Sequence, residues 1–153
     1  QFELTVTDES NVTSSPAVLD ILIKDTAPVA NDDTASVSQG HPIAHDNVIF
    51  NKNNDGDDVL AVDDTWINSV SFEEVVKVFA NSADVLRFET DNGMLVIRGD
   101  GEYLYQDTDV TDGQSFDAFV YQLIDADGGV SAATLTINQV IGDINTGTDV
   151  DFV

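Results

Sequence analysis

Asp125 and Asp127 stand one residue apart in the run Asp125-Ala126-Asp127-Gly128-Gly129. Two carboxylates so close, on a bend that glycine permits, offer hard oxygen donors. The chemistry that suits them is the holding of a hard cation such as Ca²⁺, which takes six to eight oxygen ligands. Acidic groups recur on other turns and linkers: Asp8 in Asp8-Glu9-Ser10-Asn11, Asp25 in Lys24-Asp25-Thr26-Ala27-Pro28, and Asn31-Asp32-Asp33 just beyond. Asp25 and Asn31 to Asp33 flank one linker, so with Asp8 they could close one Ca²⁺ site. Asp125 and Asp127, with Asp143 or Asp149, could close an equivalent site at the far end.

Other patterns carry less. Asn51-x-Asn53-x-Asp55-Gly56 begins like an EF-hand loop, but its twelfth position is Val62 where a bidentate Glu is needed. Asp107-x-Asp109 with Asp112-Gly113 fails in the same way at Ala118. Arg98-Gly99-Asp100 reads as part of a hairpin turn. His41 and His45 have a helical zinc spacing, yet Gly40 and Pro42 argue against a helix there. Trp66 and Phe79 read as core. No nucleophile–base pair and no phosphate-cradling glycine loop stands out, so an enzyme is not expected.

Charge narrows the partners. The 153 residues include 29 acidic against 5 basic ones, a formal charge of -24. A polyanion would be repelled, which excludes nucleic acid, and so would an anionic lipid surface. Such a field strains the compact state unless cations neutralise part of it. The 42% hydrophobic content is nonetheless enough for a core. With no cysteine, neither disulfides nor thiolate metal sites are available. No apolar run nears the ~18 residues of a membrane span, so no membrane insertion is expected. Nor does a signal peptide open the chain, which reads as cut from something longer.

The elements that would position these carboxylates are strands. Phe119, Tyr121 and Leu123 alternate on one side of the acidic turn, and Ala133, Leu135 and Ile137 on the other, giving a β-sandwich hairpin. Phe2, Leu4, Val6 and Asp8 fall on Phe119, Tyr121, Leu123 and Asp125 at a constant offset. That is an internal repeat of one hairpin. Residues 1–25 therefore read as the terminal hairpin of a preceding repeat, or as completing strands of the same sandwich. Residues 26–140 form one sandwich and 141–153 an acidic linker to the next unit. Strands are expected at 34–37, 59–62, 66–70, 85–90, 94–98 and 102–106. Val48-Ile49-Phe50 is a short buried strand or the start of a loop. Over 71–81, Phe72, Val75, Val76 and Phe79 have helical spacing, and Ser71 with Glu74 forms a capping box, so a short helix is expected.

Taken together, several segments resemble the cadherin-like and immunoglobulin-like tandem repeats of giant bacterial RTX adhesins. They are Ala27-Pro28-Val29-Ala30-Asn31-Asp32-Asp33, Gly93-Met94-Leu95-Val96-Ile97, Gly99-Asp100-Gly101-Glu102-Tyr103-Leu104-Tyr105, Asp112-Gly113-Gln114-Ser115-Phe116, and Tyr121 through Ile137. The resemblance implies an all-β Greek-key sandwich strung end to end with its neighbours, with Ca²⁺ at the junctions. It also implies type I secretion and folding at the cell surface, in cell adhesion and biofilm formation. The expected partners are neighbouring repeats of the same chain. Residues 43–90 are longer than in the short repeats. A concave or aromatic-lined surface there would favour a sugar- or peptide-binding module; simple packing would favour an extender. Self-association as a homodimer is a third option.

Overall fold

Period-two burial sets the strands. The computed structural model describes residues 2–21, 25–50, 57–108 and 115–140. Eleven strands run in order: β1 (Phe2–Leu4), β2 (Ala17–Leu19), β3 (Asp33–Ser38), β4 (Ile43–Asn47), β5 (Thr65–Phe72), β6 (Val75–Val78), β7 (Val85–Glu89), β8 (Gly93–Arg98), β9 (Glu102–Asp107), β10 (Phe116–Asp125) and β11 (Val130–Val140). No helix occurs among the described residues.

Two sheets make the sandwich, one ordered β3-β11-β10-β5-β6 and the other β4-β9-β8-β7. The chain crosses between them at β3–β4, β4–β5, β6–β7 and β9–β10, as in an immunoglobulin-like sandwich. All pairings are antiparallel except β3 with β11, which run parallel from Asp33–Leu135 to Ser38–Val140. β1 and β2 pair only with each other, Phe2 opposite Leu19, as a separate two-stranded sheet. Phe2, Leu4 and Val6 are exposed there, although their repeat partners Phe119, Tyr121 and Leu123 are buried.

The core lies between the two inner faces. Phe119 is at its centre, with ring centroids 4.9 Å from Phe72, 5.9 Å from Phe88 and 6.4 Å from Tyr105. Each fully buried side chain of this size contributes roughly 1.5–3 kcal/mol. Residues 43–90 supply Ile67, Val70, Phe79 and Phe88 to that core. Much of their described part is sandwich packing.

Three local expectations change, and Val48-Ile49-Phe50 takes the loop of its two alternatives. The helix expected over 71–81 is a hairpin: β5 and β6 join through Glu73-Glu74, Phe72 faces Val75, and Glu73 takes φ 51°. A two-residue hairpin loop needs that positive φ. Val75, Val76 and Val78 are β-branched and lose little by being extended. Phe72 and Phe79 reach the core from extended backbone, so the helical spacing is coincidental. Residues 59–62 form no strand; Val59 makes one bridge with Val29. Val48 and Ile49 are buried in a loop whose Asn47 side chain accepts the Ile49 and Phe50 amides. Trp66 is half-buried, on the outer side of β5, and is not a core residue.

Candidate metal centre

At one end of the sandwich the β10–β11 turn meets the start of β5. Asp125 closes β10 and lies opposite Thr65, the first residue of β5. That register carries Asp63, two residues upstream, to the same end. The Thr65 hydroxyl donates to the Asp63 carbonyl at 3.3 Å and steadies the approach. Beyond Asp125, the turn is closed by the Asp125 amide on the Gly129 carbonyl at 3.0 Å, with Gly128 at φ 99°. Such a φ favours glycine. It leaves Asp127 on the bend. A Cβ at Gly129 would press on the Asp125 carboxylate and stand 3.1 Å from the Ala27 Cβ, so the segment after Asp25 packs tightly on the turn.

These pieces bring Asp25, Asp63, Asp125 and Asp127 together, with one carboxylate oxygen from each within 4.8 Å of all the others. Asp125 is 1% exposed, Asp63 is half-buried, and Asp25 and Asp127 are exposed. One Asp125 oxygen accepts the Gly129 amide at 2.5 Å, while Oδ2 is buried with no hydrogen-bond donor. Asp63 Oδ1 is likewise buried and without a donor. A buried carboxylate oxygen left in that state is costly. The Asp127 carboxyl is pushed above the ordinary range. The first cause is the hydrogen bond its protonated form makes to Asp125; desolvation and repulsion by Asp125, Asp25 and Asp63 follow. A proton or a cation between these groups would relieve that repulsion. The oxygen-only donor set, the charge and the two orphaned oxygens fit a hard metal ion.

Of the residues expected from sequence, this group contains Asp25, Asp125 and Asp127. Asp25 joins the turn of its own sandwich, not Asn31 to Asp33. Asp63 is an addition, since its spacing reads only as an Asp63-Asp64 turn. The β5–β10 pairing that delivers it leaves no local mark. Asp8 is not in the group: its Oδ1 accepts the amides of Ser10 and Val12 at 2.8 and 2.9 Å and caps its own turn. Asp32 accepts the Thr134 amide at 2.8 Å. Asp143 and Asp149, like the Asn51–Gly56 stretch, lie outside the described residues.

Asn31 and Asp33 belong to a second polar centre. The Tyr121 hydroxyl lies 2.9 Å from Asp33 Oδ2, 2.8 Å from the Asn31 carbonyl and 3.2 Å from Asp58 Oδ2. One hydroxyl proton cannot serve three acceptors at once. Burial pushes the Asp58 carboxyl up to about 6, against the lowering effect of the Asn31 amide and the Tyr121 hydroxyl. Desolvation and the two aspartates push the Tyr121 phenol up as well. At the opposite pole, Asp117 is fully served. It accepts from the Tyr105 hydroxyl at 2.5 Å, Thr90 at 2.6 Å and the Asn92 amide at 2.7 Å. Arg98, in the tripeptide Arg98-Gly99-Asp100, is bound to Asp100 at 3.0 Å and Glu102 at 3.3 Å.

A comparison with curated proteins finds no match. The family model described as "Bacterial Ig domain" matches residues 25–138, which takes in β3 to β10, nearly all of β11, and all four carboxylates of the cluster. With a two-sheet sandwich under that match, the chain belongs to the bacterial Ig domain family.

Proposed function

We propose that this domain is a non-catalytic extender of a large secreted adhesin of the RTX type on the bacterial cell surface. In this reading Ca²⁺ is held by Asp25, Asp63, Asp125 and Asp127, and the domain serves cell adhesion and biofilm formation by holding a binding tip away from the cell. One observation carries the reading: Asp25, on the segment that leads into the sandwich, shares a carboxylate cluster with the β10–β11 turn and the start of β5. An ion there ties the linker to the body of the domain and removes part of the repulsion in a chain of charge -24. Family membership supports an extracellular structural role. The packing role of residues 43–90 favours the extender over a ligand-binding module.

The test is thermal melting in Ca²⁺ and then in chelator, with solution scattering for length. An ion that binds only the folded state at about a hundred times its Kd adds ~2.7 kcal/mol. Chelation should therefore lower the melting temperature and shorten the particle. Identical melting and scattering in both buffers would refute the reading.

A further inference from the structure

The outer face of the five-stranded sheet carries no charged residue on its strands; Asp32, just ahead of β3, stands at its margin with its carboxylate on the Thr134 amide. On β10 and β11 the odd positions point into the core, so the even positions from 116 to 124 and from 130 to 140 point outward. On β3 the outward positions are Thr34, Ser36 and Ser38. Across β5 they include Trp66, Ser69 and Ser71, and on β6, the edge strand, Val76 and Val78. Not one of these positions on five adjacent strands holds Asp, Glu, Lys or Arg. The chain as a whole is 22% charged, so a face of this size would ordinarily show several. The second sheet gives the contrast. Its outer face carries Arg87, Glu89, Arg98 and Glu102, with His45 beside them.

Exclusion of charge is concentrated where another surface could be met flat. Acidic groups bound the face instead: Glu73 and Glu74 at the β5–β6 turn, and the carboxylate cluster at the far end. The residues of the face are Ser, Thr, Ala, Val, Asn and Gln for the most part, with few large protrusions. Val76, Val78 and Val120 are 64%, 64% and 45% exposed. The one cation of β6 does not guard the edge. Lys77 turns inward, donates to the Arg87 carbonyl and lies 4.7 Å over the Phe88 ring. The β6 margin of the face therefore presents exposed valines and no outward charge.

From this we infer that the five-stranded face is a self-association surface, and that its occupant is the same face of a second copy of this chain. Two copies that each carry -24 repel over most of their surfaces. They repel least where neither presents a charge. A two-fold arrangement sets the uncharged face against itself, with the acidic rims at the margin. Five strands about 4.8 Å apart, with outward stretches of roughly 20–30 Å, project on the order of 500 Å². The corrugated accessible area is then of the order of the ~800 Å² per partner in a stable interface. Small side chains suit face-to-face sheet packing at about 10 Å. The metal cluster takes no part, so the inference is independent of the extender reading.

The experiment is sedimentation equilibrium of the full 153-residue chain in chelator, over a concentration series at low and high salt. The expected result is a monomer–dimer equilibrium that strengthens with salt, because screening removes the repulsion of the two chains. Val120→Glu should weaken dimerisation by ~10-fold or more, since the change enters a symmetric interface twice. Ala132→Glu, at an exposed position opposite Gln122, should do the same if Val120→Glu does not fold. Val85→Glu, on the other sheet, should leave the equilibrium unchanged. A chain monomeric at all concentrations and salts would overturn the inference. So would a dimer indifferent to both face variants, or a monomer retained by a neutral polysaccharide through this face.

Discussion

Replacing Asp58 by asparagine should stabilise the protein at neutral and alkaline pH. Asp58 is 6% exposed, and its carboxyl is raised from 3.8 to about 6, chiefly by burial. A raised acid binds its proton more tightly in the folded state. Its favourable contribution is thus fully present below the unfolded pKa and is lost as pH rises through about 6. The shift of about two units corresponds to ~3 kcal/mol at ~1.36 kcal/mol per unit. The introduced carboxamide would mimic the protonated acid, with an oxygen to accept the Asn31 amide, now 2.7 Å from Asp58 Oδ1. Its nitrogen would supply a donor toward Tyr121 and Asp33. In chelator near pH 8, the variant should exceed the parent by up to ~3 kcal/mol, seen as a rise on the order of 10 °C in Tm. Near pH 5 the advantage should fall to about half, because the parent has by then taken up its proton. The difference between the two proteins isolates this site from the general relief of repulsion on acidification. Equal pH profiles, or a variant less stable than the parent near pH 8, would refute the reasoning.

Asp125→Asn should separate the ion from the fold: in chelator the variant melts at or above the parent because a repulsive buried carboxylate is gone, while the gain from added Ca²⁺ shrinks or vanishes. A full Ca²⁺ response in that variant, followed by calorimetry, would remove Asp125 from the site. Phe119→Ala takes away the ring against which Phe72, Phe88 and Tyr105 pack, and denaturant titration should show a loss of ~3–5 kcal/mol.

Strands whose faces are unequal were legible from sequence. Phe119, Tyr121 and Leu123 alternate because one side of β10 is core and the other is not. The turn at Asp125 to Gly129 was equally plain, since glycine and acidic residues mark both the bend and its chemistry. Where the residue pattern served two structures at once, the reading failed. Phe72, Val75, Val76 and Phe79 have helical spacing, but the exposed valines of β6 are set by an edge pairing with β5 that no local window contains. Asp63 was missed for a related reason: its neighbours in space, Asp125 and Asp127, are some sixty residues away in sequence and are delivered by strand register. Asp33 reads from sequence as a Ca²⁺ ligand beside the linker, yet it is 3% exposed and faces Tyr121 inside the sandwich.

The parallel pairing of β3 with β11 has a mechanical consequence. The first and last strands of the sandwich lie side by side and point the same way. A pull that enters ahead of Asp33 and leaves beyond Val140 drags the two strands lengthwise past each other. The rungs between them are then loaded together and must fail as a group. In an antiparallel pair pulled from one end, they would open one after another like a zip. A sandwich closed in this manner resists stretching far better than its equilibrium stability alone would suggest, as the proposed extender role would require.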